Sequence, residues 1–155
     1  MITQVIMCML ATAAFAILFH VPRTEYLCCA LNGAVGWITY LAWTAHGAGP
    51  TSASIWASLA LTLVARILSS IRKMPSTVFL ITGIFSLVPG SGLYYTSYYL
   101  IMGDLARFMG KGTETLKIAG GIVLGMIFGL VFPQSWFNRL GKAAGRIRKR
   151  GGGGR

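Results

Sequence analysis

Five long apolar stretches, separated by short polar or proline-containing turns, make up most of this chain. Each stretch is close to the roughly 20 residues that a helix needs to cross a lipid bilayer. The pattern therefore predicts an all-α membrane protein with about five transmembrane helices. The predicted spans cover residues 2–19, 26–45, 51–71, 76–102 and 116–132, with a polar connection at 103–115 before the last of them.

The fourth stretch is interrupted by Pro89, Gly90, Ser91 and Gly92. Proline removes a backbone donor and clashes with the preceding helical turn, and the glycines loosen the backbone further. In hydrocarbon the freed amides and carbonyls must find partners in protein or water, because each unpaired group costs several kcal/mol. Broken helices of this kind form substrate sites in secondary transporters. We therefore predict a functional break here; the alternative is a simple proline kink or a loop between two short helices.

Composition strengthens the membrane prediction. Of the 155 residues, 55% are hydrophobic and only 11% are charged, whereas soluble domains have about 25% charged residues. The mean hydropathy is +0.67. A water-soluble domain could not bury this much apolar surface. We expect one helical transmembrane domain over residues 1–137 and no separate soluble domain. The first stretch is expected to be retained as a span rather than cleaved as a signal.

The positive charges set the expected orientation. Fourteen Lys and Arg against three acids give a net charge of +11, and many of these cations lie in a basic, glycine-rich tail at 138–155. Five spans place Arg23, Arg72, Lys73 and this tail on one side, which the excess of cations marks as cytoplasmic. The N-terminus is then outside and the C-terminus inside. A four-span arrangement without the second stretch would separate Arg23 from the tail, which is less favourable.

The basic tail is expected to attract anionic membrane lipid. An RNA-binding tail is the alternative, but no aromatic side chains are interleaved with these basic residues to stack on bases. No nucleic-acid partner is therefore predicted.

The sequence offers little to an enzyme. Its three cysteines, Cys8, Cys28 and Cys29, fall within apolar stretches and are interpreted as small packing residues. No spacing indicates a metal site, a catalytic triad or a nucleotide-binding loop. An enzyme acting on lipid would need a cluster of acids, histidines or cysteines that this chain lacks. We expect neither enzymatic activity nor a cofactor.

Two features could bind a small polar solute. Arg66, inside the third stretch, could hold a carboxylate by a bidentate contact, or it could extend its side chain to the interface. The amides of Gly90, Ser91 and Gly92 could bind a carboxylate at the start of a second half-helix. For Ser91 the simpler interpretation is an N-cap.

Tyrosines follow the break directly. Tyr94 and Tyr98 are four residues apart and share one helix face, which could supply hydroxyls to a ligand; Tyr95 and Tyr99 share another. The simpler interpretation of such residues is an aromatic belt at the membrane interface.

The remaining polar positions have less specific interpretations. Asp104, just past the fourth stretch, is either a proton-coupling carboxylate or one member of a solvated ion pair with Arg107. Asn32 requires a partner on another helix. The spaced glycines Gly121, Gly125 and Gly129 form a small-residue face for close helix packing, either within the chain or between subunits.

A set of residues around the third and fourth stretches forms a recognisable pattern, in which a proline-glycine pair is followed shortly by a tyrosine. They are Ala65-Arg66, Pro75, Gly83-Ile84, Pro89-Gly90 and Tyr94. This pattern resembles the threonine/serine exporter family, and in particular its small, separately encoded C-terminal half. Ser86 stands where the family often has a proline. The likeness covers about residues 5–135.

The resemblance implies a subunit that exports a small polar metabolite across the inner membrane of a prokaryote. Threonine, serine and small carboxylates are the implied substrates. A larger partner subunit is also implied, with its own membrane helices, so the chain is expected to act in a hetero-oligomer. The alternative is a non-transporting oligomeric membrane protein, holin-like or an assembly subunit, which the short chain and basic tail would also fit.

Overall fold

The computed structural model describes residues 2–132, and every regular element in this part of the chain is helical. The predicted basic tail at 138–155 lies outside the described residues. Six α-helices follow one another, with one 3-10 turn, Arg23–Glu25, leading into the second. They are α1 Ile2–Leu18, α2 Tyr26–Ala45, α3 Pro50–Arg72, α4 Ser76–Phe85, α5 Gly90–Ile101 and α6 Leu105–Val131.

Local sequence explains where α3 begins and ends. Gly47 adopts a left-handed conformation with φ of 82°, which glycine reaches without steric cost. Pro50 is the first residue of α3, where a missing N–H breaks no helical hydrogen bond. At the other end Lys73 takes a left-handed conformation, and Pro75 follows two residues later. Together these features turn the chain sharply into α4.

Three of the helical segments are long and apolar enough to cross a membrane: Arg23–Ala45, Pro50–Arg72 and Leu105–Val131. The bent pair of α4 and α5 would make a fourth span. The remaining predicted span, α1, has 17 residues, at the lower limit of the roughly 17–25 that spanning helices use. The multi-pass helical class is confirmed, while five spans and their orientation remain predictions.

Most of the predicted polar connection at 103–115 is helical. Gly103 turns the chain with φ of 72°, and α6 then begins at Leu105 and continues without interruption into the apolar segment. Charged residues do not prevent a helix from forming, because lysine, arginine and glutamate are good helix formers. The change of composition near Leu116 therefore marks a change of surroundings along one helix and not its end.

Small residues let α3 and α6 pack very closely. Gly125 faces the Ser58 side chain and the Ile55 carbonyl so tightly that a Cβ atom could not be accommodated. Gly121 faces Thr51, and Gly129 faces Thr62, so the two helices run in the same direction. The spaced glycines thus pack within the chain, which decides between the two interpretations of this face.

A second contact fixes α4 against α2 and α3. Asn32 is fully buried, and its Nδ2 donates a 2.9 Å hydrogen bond to the Phe79 carbonyl oxygen, which confirms its predicted interhelical partner. A Cβ atom on Gly83 would lie 2.9 Å from both this Nδ2 and a methyl carbon of Leu61. The α4 helix therefore sits directly against the centre of α3.

Candidate functional site

The fourth span is broken between Phe85 and Gly90, where the axes of α4 and α5 differ by 50°. The break covers residues 86–89 and so lies a few residues before the predicted one. The Ser86 amide and hydroxyl both donate to the Gly83 carbonyl, which tightens and ends the last turn of α4. Gly90, Ser91 and Gly92 instead form the first turn of α5.

Ser91 does not cap α5 as the sequence indicated. Pro89 occupies the N-cap position, and no side chain there accepts a hydrogen bond from the helix. The Pro89 carbonyl accepts from the Leu93 amide, and the Gly90 amide donates to Val88. The amides of Ser91 and Gly92 make no hydrogen bond to the described residues. Two backbone donors with helix-terminal positive charge are therefore available at this point.

The break lies within the bundle. Leu87, in the middle of it, belongs to a buried cluster with Ala57, Leu61 and Ile122. Ala57 is seven residues from the start of α3 at Pro50, which corresponds to about 10 Å along the helix. An interruption at this level lies beside the packed side chains of α3 and α6, while a function of the break stays a prediction.

A cavity of about 210 Å³ lies between the start of α5 and the facing side of α6. This volume is below the roughly 300–1,000 Å³ of pockets for drug-sized ligands, so a small metabolite is the appropriate class of occupant. The lining is unusually polar for this chain and includes both charges of one ion pair. The lining residues are Pro89, Ser91, Gly92, Tyr95, Lys111, Glu114, Thr115 and Ile118.

The α6 side of the cavity was missed by sequence reasoning. Lys111 Nζ lies 2.8 Å from Glu114 Oε2, and the two side chains are 48% and 49% exposed. The Thr115 hydroxyl donates to the Lys111 carbonyl at 2.8 Å. These residues and Ile118 are three or four positions apart and so share one helix face. That spacing was the available signal, but it was hidden by interpreting 103–115 as a polar connection and not as part of a helix.

Gly92 brings the two walls of the cavity together. A Cβ atom at this position would lie 2.5 Å from the Thr115 hydroxyl oxygen and 3.2 Å from its methyl carbon. Gly90 has no atom within 4 Å of such a position. The two glycines of the motif therefore differ: Gly92 is required by a close approach, and Gly90 is not.

Arg66 lies away from the break. It is 5% exposed, and its Nη1 donates to the carbonyls of Gly129 at 3.0 Å and Leu130 at 2.8 Å. These carbonyls belong to the last turn of α6, where intrahelical partners run out. Gly129 is fourteen residues beyond Thr115 on the same helix, or about 21 Å. The structure therefore does not bring Arg66 together with the other predicted site residues.

Tyr94 and Tyr98, the predicted site tyrosines, lie on one face of α5, and Tyr95 lies on another. Tyr94 and Tyr98 stack on each other with ring centroids 6.5 Å apart, and neither lines the cavity. They are 65% and 42% exposed, which fits an interfacial belt. Tyr95, which was not among the predicted site residues, lines the cavity instead.

Asp104 begins α6. Its Oδ1 accepts a hydrogen bond from the Arg107 amide at 3.1 Å, and its Oδ2 lies 3.3 Å from the Arg107 guanidinium. This is an N-cap combined with the local ion pair that the sequence offered as an alternative. It does not line the cavity between α5 and α6.

The comparison with protein families identifies the chain's relatives. The family described as threonine/serine exporter, ThrE, matches residues 4–132, which includes the break and both walls of the cavity. Comparisons with curated proteins and with solved structures gave no match. Because the family match covers most of the chain, this multi-pass membrane protein belongs to the threonine/serine exporter family.

Proposed function

We propose that this chain is one subunit of a secondary exporter for threonine and serine, or for small carboxylates. It crosses the inner membrane of a prokaryote five times, with its N-terminus outside and its C-terminus inside. The family match and the apolar helices support an exporter in a membrane. The charge distribution supports the orientation. The observation on which the site depends is the backbone break within the bundle, next to a polar cavity.

In this proposal the start of α5 binds the solute carboxylate. The amides of Ser91 and Gly92 have no partner among the described residues and can donate to the oxygens of the solute carboxylate. The positive end of the helix favours the negative charge of that carboxylate. The adjoining cavity accepts the rest of a small solute. For Arg66 we propose a positioning role at the end of α6, because its Nη1 donates to two carbonyls there. Its predicted contact with substrate stays a prediction.

A larger partner subunit would cover the outer surface of α5 and α6. None of the α5 residues is buried within the described part of the chain, and its principal neighbour is α6 alone. The outward surface includes large apolar side chains such as Leu93, Leu100 and Ile101. Such a surface requires lipid or another membrane helix. The glycine face, by contrast, is already occupied by α3 and gives no support to an oligomer built on it.

An efflux assay tests the proposal. Cells that co-express the chain and a larger subunit of the same exporter family are loaded with labelled threonine, serine or succinate. Efflux is then compared with cells that carry either subunit alone. We expect efflux of at least one solute that requires both chains. No efflux of any solute, or nonspecific leakage and lysis, would contradict the proposal and favour the holin-like alternative.

Two glycine variants locate the site in the same assay. Gly92→Val places side-chain atoms against Thr115 and into the cavity, so we expect efflux to fall about tenfold or more at equal amounts of membrane-inserted protein. Gly90→Val is the matched control, because a Cβ atom at position 90 meets open space. Equal activity of the two variants would contradict the assignment of this cavity.

A further inference from the structure

The cavity between α5 and α6 contains two opposite charges in addition to the α5 amides that bind the solute carboxylate in the proposed function. Lys111 and Glu114 both line it, and they are held next to each other by one turn of α6. Both side chains are about half exposed. An ion pair of this exposure contributes little to folding stability. Its charges are therefore free to turn toward a charged solute at small cost.

We propose that Lys111 and Glu114 are specificity-determining residues of the transport site. Lys111 faces the carboxylate of the solute, and Glu114 faces its ammonium group. The cavity thereby selects a zwitterionic amino acid over a dicarboxylate of similar size. This inference rests on the proposed function and chooses between the two solute classes that it leaves open.

Charge balance supports this selection. The charged side chains that line the cavity are one cation and one anion, so their sum matches a zwitterion, which carries one charge of each sign. A dicarboxylate would place its second carboxylate near Glu114. Two like charges in contact repel each other, and they do so more strongly near a protein surface than in bulk water. Discrimination against dicarboxylates of about tenfold follows from this repulsion.

The hydroxyl groups of the lining fit a hydroxylated solute. Neither the Ser91 hydroxyl nor the Tyr95 hydroxyl is hydrogen-bonded to the described residues, and both residues line the cavity. The Thr115 hydroxyl already donates to the Lys111 carbonyl, so its oxygen remains available as an acceptor. A cavity lined by these donors and acceptors together with an ion pair suits a short amino acid that bears a side-chain hydroxyl.

Competition with the wild-type complex gives the first test and requires no variant. Labelled threonine efflux is measured while the vesicle interior also contains unlabelled serine or succinate. We expect serine to compete and succinate to require at least about tenfold higher concentration. Succinate that competes as well as serine would overturn the inference. The proposed function would still stand in that case, because threonine efflux itself would have been observed.

Charge-neutralising variants give the second test. Glu114→Gln should raise the half-saturating concentration of threonine about tenfold and reduce the discrimination against succinate. Lys111→Gln should weaken both solutes. The matched control is Arg107→Gln, which breaks an ion pair of the same spacing outside the cavity. Unchanged threonine-to-succinate selectivity in Glu114→Gln, at normal amounts of inserted protein, would overturn the inference. Absence of efflux in the wild-type complex would instead overturn the proposed function.

Discussion

The two halves of the broken span, α4 and α5, differ sharply in their surroundings. In α4, Phe79, Leu80, Thr82 and Gly83 are buried, and the helix packs against α1, α2 and α3. In α5 no residue is buried within the described chain, and α6 is its principal neighbour. The two halves have similar lengths and are both apolar. The difference therefore lies in what the neighbouring helices present to each half.

This contrast explains how a break can be stable within a packed bundle. The buried half is fixed by a hydrogen bond from Asn32 and by close contact with Leu61. The exposed half is held at Gly92, where it meets Thr115 on α6. Pro89, the last residue of the break, lines the polar cavity between α5 and α6. The half buried among α1, α2 and α3 thus supplies stability, and the other half borders the cavity.

The largest expected effect compares one glycine from each half. Gly83→Val should reduce folded protein severely, because the added atoms meet Asn32 and Leu61 in the packed interior. Overpacking of this kind costs about 1–3 kcal/mol. Gly90→Val should change stability by less than about 0.5 kcal/mol, since its surroundings are open. The yield of monodisperse protein and its melting temperature in detergent measure both variants. Equal losses would show that the two halves are equally constrained.

A loss of comparable size is expected at Arg66. Arg66→Met removes hydrogen bonds from a charged donor to two carbonyls at the end of α6, and bonds to charged groups are worth about 1.5–3 kcal/mol. We expect a lower melting temperature with unchanged selectivity among exported solutes. A variant that folds normally but loses solute affinity would instead support the predicted substrate contact.

Next in size is the ion pair at the end of the bundle where α4 begins. Glu25 is 5% exposed, and its carboxylate accepts hydrogen bonds from Arg72 Nε at 2.8 and 2.9 Å. Glu25→Gln should lower the melting temperature by less than Arg66→Met does, because Arg72 is partly exposed and solvent screens the pair. In a double-mutant cycle, the variant that carries both Glu25→Gln and Arg72→Gln should lose less stability than the sum of the two single losses. Full additivity of the two losses would show that the pair contributes nothing.

The smallest structural effects are expected on the exposed half. Tyr94→Phe, Tyr95→Phe and Tyr98→Phe should each change stability by less than about 0.5 kcal/mol. Only Tyr95 lines the cavity among these three, so only its variant should weaken solute affinity, by a few fold. Half-saturating concentrations in the efflux assay separate them. An effect confined to Tyr94 and Tyr98 would restore the site that was predicted from the sequence.

The comparison also shows which features the sequence could reveal. The length of the apolar stretch predicted both ends of α2, Tyr26–Ala45, because composition determines where a membrane span lies. The proline-glycine pair revealed a break, since its effect on the backbone is local. The exact ends of that break depend on the hydrogen bonds of Ser86, which the sequence does not display.

Features that depend on tertiary contact were less predictable. Arg66 is an isolated cation in an apolar stretch, and such a pattern cannot distinguish a substrate contact from a bond to distant carbonyls. Lys111 and Glu114 resembled loop charges because they lie in a polar stretch. Only the packing of α5 on α6 places them beside Ser91.

Thiol protection at the break gives the most direct test of the central claim. Ser91→Cys is introduced into a chain whose three natural cysteines are replaced by alanine, and it is labelled with a hydrophilic maleimide in membrane vesicles containing the complete exporter. Ser97→Cys, exposed on the same helix and outside the cavity, is the matched control. We predict that threonine slows labelling of Ser91→Cys several fold and leaves Ser97→Cys unchanged. Labelling of Ser91→Cys that is unaffected by saturating threonine, or is absent from both sides of the membrane, would contradict a solute site at this break.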